Sequence, residues 1–467
     1  MNSTPTPRRR RRVARPVLLG AGGVAIVAAL GMVAVTGADF TDRGQFNYRV
    51  TAEGSPPPTT PPATGNGVPS QNFSNRHSLA RSKNVLYGWG GGVTTGTGAG
   101  SQSLLPVVMP SGTTFTEIAA GPSHNLAIDQ NGDIWGWGNG LQGALGPAGN
   151  TAVSTPIKVT ATSTKFRKVA AGGYVNLGNG SVNTGTSFAI DTNGNLWSWG
   201  SWNGGMSTAW TVLGDGSRAS RSTPRQITTG IDFVDVAAGW EKNAAVTRDG
   251  YVYTWGSNHY ASLALSDTYS TSAVPTPTRS PYLKNIVKVA FGGRTAYAID
   301  GEGFAWVWGN KSPTLGASTL GGASATDCKW SSSSEQTTAS AAVCVPARVP
   351  RGSNPPYTDI SAGESNVYVL DAAGAVWSWG GNRFGNTGDG TLGTIANRDT
   401  LVPTKAIFPA GIKVEAVVAA YFGGVAVDTT GGVWTWGRVG MTGTNLLGDG
   451  RNTWGDQDGQ LTPKKVK

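Results

Sequence analysis

One four-residue pattern, aromatic–small–Trp–Gly, constrains this chain more than any other feature because it occurs seven times. The copies are Tyr87-Gly88-Trp89-Gly90, Trp135-Gly136-Trp137-Gly138, Trp197-Ser198-Trp199-Gly200, Tyr253-Thr254-Trp255-Gly256, Trp306-Val307-Trp308-Gly309, Trp377-Ser378-Trp379-Gly380 and Trp434-Thr435-Trp436-Gly437. Residues two apart on a strand share a face, so each copy sends two large aromatics to one side. The following Gly lets the strand end or bend where a Cβ would clash. Successive copies lie 48, 62, 56, 53, 71 and 57 residues apart. A unit of that size cannot bury its apolar face alone, so neighbouring units must stack.

The rest of the composition agrees with an all-β repeat protein. Gly is frequent, at 69 of 467 residues, without the three-residue period of collagen. Seventeen Trp argue for a packed core. Beyond the first 40 residues the chain is short apolar runs separated by Gly, Asn, Asp, Ser and Pro. The net charge of +10 is misleading. Residues 1–70 hold eight of the 37 basic residues and three of the 27 acidic ones, leaving a net of +5 beyond them. No dense basic stripe follows, so nucleic acid is not an expected partner.

Residues 1–38 read as an export signal or a retained membrane anchor: Arg8–Arg12, an uncharged run over 17–35, then Thr36-Gly37-Ala38. Either places the rest of the chain outside the cytoplasm, secreted or held at the cell surface. Residues 39–54 are polar, and 55–70 are a Pro/Thr-rich linker expected to be extended. Residues 71–467 are the repeat domain.

Aligning the repeats on one another predicts four short strands per unit. A strand ends in small-small-Gly, as at Ala119-Ala120-Gly121, Ala170-Ala171-Gly172 and Ala237-Ala238-Gly239. A small apolar strand follows, then a tight turn such as Asp129-Gln130-Asn131-Gly132. Next come the Trp-Gly strand, a variable loop and a Pro-led strand such as Thr155-Pro156-Ile157-Lys158-Val159. Seven such units predict a seven-bladed β-propeller, with Thr462-Pro463-Lys464-Lys465-Val466 expected to join the blade begun at the N-terminus and close the ring.

The order VAAG, HxLAID, NGxIWxWG, xLG and TPxxV, as in residues 117–159, resembles the repeat of the regulator-of-chromosome-condensation family. The resemblance extends from about residue 76 to the end and implies a seven-bladed propeller. That family includes nuclear exchange factors for a small GTPase and secreted bacterial inhibitors that bind β-lactamases. The export signal is compatible with the second kind.

Chemistry is sparse. There are three histidines; His77 and His124 occupy equivalent repeat positions and read as scaffold, while His259 stands alone in a loop. No Cys/His metal spacing, P-loop or nucleophile elbow occurs, and no cofactor is expected. Asp129–Asp133 faintly resembles a calcium loop but lacks the distal Glu, and a hairpin turn explains it better. Cys328 and Cys344 are the only cysteines, and in an exported chain a disulfide between them is expected.

Five tryptophans fall outside the repeated pattern: Trp202, Trp210, Trp240, Trp330 and Trp454. Trp240 follows Ala237-Ala238-Gly239 directly, at a strand end that recurs once per blade. Tyr174, Trp240, Arg294, Glu364 and Phe422 are then expected to line one rim, joined by Trp202 and Trp210. The resemblance to the secreted inhibitors implies partner binding for this rim, and Trp, Tyr and Arg are the residues that dominate interface energetics. The expected function is a monomeric protein-binding propeller without catalysis. The alternatives are a carbohydrate-active enzyme, which requires carboxylates converging on the central channel, and an exchange-factor-type regulator.

Overall fold

The computed structural model describes residues 77–467, apart from 99–100, 150, 160–162, 174–183, 202–210, 312–322, 330–341, 364–365, 394–398, 421–422, 439–446 and 451–458. The expected signal or anchor (1–38) and linker (39–70) lie outside the described residues, as do Tyr174, Trp202, Trp210, Glu364 and Phe422. Six antiparallel sheets of four strands and one of three make a seven-bladed propeller. The blades span residues 77–106, 115–158, 166–226, 233–279, 286–348, 357–405 and 414–465. Blade 2 is representative, with strands Phe115–Ala120, His124–Asp129, Ile134–Gly138 and Val153–Lys158 in sequential order. First strands of consecutive blades lie against one another, which makes them innermost.

Each element of the repeated sequence has a steric or hydrogen-bonding cause. The Gly of every Trp-Gly pair takes a positive φ, from 98° at Gly200 and Gly437 to 108° at Gly90. A side chain there would be strained. The Gly of small-small-Gly answers a different demand. A Cβ on Gly172 would lie 2.7 Å from the carbonyl oxygen of Gly239; one on Gly292 would lie 2.7 Å from that of Gly363, and one on Gly363 2.7 Å from that of Ala420. Inner strands of neighbouring blades meet backbone to backbone at this end of the ring.

The two aromatics of the pattern serve different partners. The first reaches within its own blade: the indole N–H groups of Trp135, Trp197, Trp306, Trp377 and Trp434 donate to the carboxylates of Asp129, Asp191, Asp300, Asp371 and Asp428 at 2.8–3.0 Å. Where the first aromatic is Tyr253 or Tyr87, the Asp position holds Thr247 or Ser82. The Asp129 carboxylate also accepts N–H bonds from Asn131 and Asp133, so this stretch is a hairpin turn, as expected. The second aromatic is fully buried and donates to the preceding blade: Trp137 to Thr94 O (3.1 Å), Trp199 to Ala144 O (2.9 Å), Trp255 to Val212 O (3.0 Å), Trp308 to Ser262 O (2.8 Å) and Trp436 to Asn386 O (3.0 Å).

Seven apolar clusters fill the seven junctions between blades, including that between the last and the first. Closure is therefore not by the strand exchange expected above. Gly459–Lys465 pairs with Val433–Arg438 and completes blade 7 itself. Blade 7 meets blade 1 through side chains, with Trp89 and Ala80 packed on Val418, Val425, Val427 and Val433. Ser82 Oγ donates to Gly431 O at 2.6 Å, Lys467 bonds Tyr87 Oη, and an isolated bridge joins Ser103 to Asp449. Among the described residues blade 1 has three strands.

A candidate partner-binding cleft between blades 4 and 5

Strand register decides which loops share a face. In blade 4, Lys242 pairs with Gly256 and Ala238 with Asn243. The turn Gly239–Glu241 and the loop after Trp255-Gly256 therefore leave from the same end of the sheet. Blades 2 to 7 repeat this register, so one face carries the turns after the first strands and the variable loops. The opposite face carries the Asp turns, which bond the linkers between blades, as in Phe166 N–H to Gly132 O at 2.9 Å.

On the loop face, Trp240 and Arg294 come together. They line a small cleft, about 40 Å³ in volume and partly open to solvent, with Glu241, Lys242, Ser257, His259, Tyr260 and Gly293. Trp240, Glu241 and Lys242 are each only 6% exposed. Trp240 is thus a wall of the cleft rather than a projecting side chain. Lys242 Nζ donates to Gly293 O across the blade junction at 3.1 Å. Arg294 is half-buried; its Nη1 donates to Tyr260 Oη at 3.2 Å and its guanidinium lies 5.3 Å from the Tyr260 ring centroid. His259 and Tyr260 stack with centroids 4.5 Å apart and planes 9° from parallel. Burial, and then the positive charges of Lys242 and Arg294, push the His259 imidazole below its ordinary range.

A disulfide supports this wall. Cys328 and Cys344 are bonded, as expected, with Cα atoms 5.0 Å apart. They are buried in a small cluster with Ala261, Tyr269 and Ala342, against which Tyr260 packs. Tyr269 N–H donates to Lys329 O at 2.7 Å and Lys329 N–H to Asp267 O at 2.9 Å, tying the blade 4 loop to the blade 5 loop. His259, Tyr260, Glu241 and Lys242 were not singled out as site residues in the sequence. Tyr260 could have been, as an aromatic outside the repeated pattern, and so could Lys242, which stands where other blades carry His, Thr, Asn or Gly, and His259, the histidine outside the repeat position; Glu241 carries no such signal.

The other two histidines are interior parts of the blade junctions. His77 Nε2 lies 2.7 Å from Asn125 Oδ1, and His124 Nε2 2.9 Å from Ser187 Oγ. Both are fully buried; burial holds His77 down at about 4 and, with the nearby His77, His124 at about 3. Charges also gather at the innermost strands, at the third residue of each: Glu117, Lys168, Asp235, Lys288 and Asp359 in blades 2 to 6. Lys168 sits 2.7 Å from Glu117 and 3.6 Å from Asp235, and Lys288 2.5 Å from Asp359. The acids thus alternate with lysines instead of forming a carboxylate pair. Burial alone would lower Lys168, but Glu117, Asp235 and Asp359 outweigh it and hold the ammonium above the usual lysine range. Among the described residues no group of three or more His, Cys, Asp or Glu is placed to hold a metal ion.

Comparison with known proteins fits this geometry. A family model described as Regulator of chromosome condensation (RCC1) repeat matches residues 131–178 and 249–299, and a second of the same description matches 115–144 and 233–261. The chain carries RCC1 repeats. Over 372 residues it is 27% identical to the ultraviolet-B receptor UVR8 of Arabidopsis thaliana, covering 78% of this chain and 75% of the receptor. Over 376 residues it is 26% identical to the human E3 ubiquitin-protein ligase HERC2, covering 78% of this chain but 7% of the ligase. Among solved structures, Prp20p of Saccharomyces cerevisiae superposes with a TM-score of 0.64 at 21% identity, covering 85% of this chain and 88% of that one. At that identity the likeness concerns the fold.

Proposed function

We propose that this RCC1 propeller is a protein-binding module that uses its loop face, works without chemistry of its own, and acts outside the cytoplasm. The observation that carries the reading is the cleft. Trp240 and Arg294, which depart from the repeat in sequence, converge there with the stacked His259–Tyr260 pair on one face of a closed scaffold. A propeller whose blade junctions are bonded by buried tryptophans presents such a face rigidly, so little ordering opposes association. Yeast Prp20, which shares the fold, is seen bound to Kap60 and has binding properties toward Gsp1p and histones, so the same scaffold engages proteins there. Pairing of the inner-strand acids with Lys168 and Lys288 weighs against a glycosidase, which needs one carboxylate as acid and another as base or nucleophile. The extracellular setting rests on Arg8–Arg12 and the uncharged run after it.

The test compares the wild type with a Tyr260→Ala/Arg294→Ala double variant and with a control on the opposite face, Lys405→Ala/Lys413→Ala. Each is immobilised and exposed to culture supernatant and to extracted surface proteins of the producing cells. A partner should be retained by the wild type and the control and lost with the cleft variant. Equal retention by all three would refute the choice of face.

A further inference from the structure

The cleft between blades 4 and 5 combines features that the repeat does not require. The first residue of the second strand is His77, His124, Thr186, Thr295, Asn366 and Gly423 in six blades and Lys242 in blade 4. The scaffold thus closes the same junction six times without a cation. Burying an ammonium opposes folding unless other groups compensate it. Here the compensation includes the Gly293 carbonyl. Opposite Lys242 stands Arg294, a forked donor with five N–H groups. Its hydrogen bond goes to the Tyr260 hydroxyl, and among the described residues it makes no ion pair with a carboxylate. Among the described residues that line it, two cations accompany one carboxylate, Glu241, so these residues are net positive with His259 neutral. Its remaining walls, Trp240 and Tyr260, are flat and apolar, and the disulfide cluster holds Tyr260 in place.

We propose that this cleft is a socket for one acidic side chain, Glu or Asp, presented by a protein partner, with Arg294 as the bidentate donor and Lys242 adding charge behind it. The proposal rests on the reading of the loop face as a binding surface and names the partner's chemistry there. A planar carboxylate matches the guanidinium fork and fits between aromatic walls, and charge-assisted bonds of this kind are the strong ones.

His259 supplies a reporter, since Lys242, Arg294, Tyr260 and Glu241 surround it in the same cleft. The experiment titrates the intact protein, labelled with ¹³C-histidine, with the peptide acetyl-Gly-Glu-Gly-amide, with its Gln analogue, and with inorganic phosphate. The Glu peptide should shift the His259 resonance saturably and raise its midpoint in a pH titration. The Gln analogue should bind at least tenfold more weakly. Arg294→Gln should weaken the Glu peptide tenfold or more, and Arg294→Lys by less. His77 and His124 resonances serve as the check that each variant is folded. An unmoved His259, equal binding of the Gln analogue, or unchanged affinity in Arg294→Gln would overturn the proposal; so would saturation by phosphate alone. If those results came while a captured partner remained sensitive to Tyr260→Ala/Arg294→Ala, the socket would fall and the binding face would stand. Indifference of capture to that double variant would remove the face itself.

Discussion

Acid should weaken this propeller through two of its blade junctions, and the size of the effect follows from burial. His77 and His124 are fully enclosed, with folded-state values of about 4 and about 3 against 6.5 in an unfolded chain. A folded value below the unfolded one means that the unfolded chain takes up protons first as pH falls. Stability is therefore complete above pH 6.5, declines below it, and levels off only near the folded values. At pH 5 each site lies about 1.5 units below its unfolded value, which corresponds to about 2 kcal/mol per histidine and about 4 kcal/mol for the pair. Urea unfolding followed by tryptophan fluorescence at pH 7.5 and pH 5 measures the loss. A His77→Gln/His124→Gln variant should begin less stable at pH 7.5, because each ring contacts the next blade. It should then lose about 4 kcal/mol less than the wild type between the two pH values. Carboxylates such as Asp428, held low because hydrogen bonds from Thr430, Trp434 and backbone amides outweigh its burial, act on both proteins alike and cancel in the comparison. An acid loss of the same size in the double variant would refute the argument, as would either imidazole titrating above pH 6 in the folded protein.

Three further outcomes are expected. Gly292→Ala places a Cβ 2.7 Å from the Gly363 carbonyl oxygen and should cost about 1–3 kcal/mol, seen as a lowered thermal midpoint, because backbone cannot yield there. Trp308→Phe removes the N–H bonded to Ser262 O at 2.8 Å and leaves a buried carbonyl without that donor. A loss of about 1–3 kcal/mol by urea unfolding should follow, whereas Trp135→Phe, whose ring is half-buried, should cost less. Alkylation without reductant should leave Cys328 and Cys344 unlabelled. A Cys328→Ser/Cys344→Ser variant should exchange the Tyr269 amide on the order of 100-fold faster, since closing a loop of this length is worth about 3 kcal/mol; unchanged exchange would mean the loop is held without the bond.

The blades were legible because each one solves the same steric problem with the same few residues. Gly256 needs its positive φ for the reason Gly138 does, and Gly172 and Gly363 both admit a neighbouring carbonyl. Repetition within one chain therefore exposed the fold without relatives. Ring closure was misread although the information was present. Thr462-Pro463 matches the fourth-strand motif of the other blades, and it pairs as they do, with the Trp-Gly strand of its own blade. The expectation of exchanged strands came from the need to cover an edge, whereas seven apolar junctions already close the ring. The cleft was half legible. Trp240 and Arg294 announced themselves as departures from the pattern, but a departure says nothing about depth. Trp240 is buried, and the cleft it lines is completed by Tyr260 and His259, some 20 residues further on, on a loop where Tyr260 packs against Cys328 and Cys344. The inner-strand charges teach the same lesson. Glu117, Lys168, Asp235, Lys288 and Asp359 are more than 50 residues apart in sequence, and each alone is an ordinary polar residue at a bulge. Only the circular order of the blades sets opposite signs side by side, turning what could have been a carboxylate cluster into a belt of alternating charge with one acid in excess. Periodicity thus determines where a residue stands in the ring, while the chemistry it can perform depends on what the adjacent blade places against it.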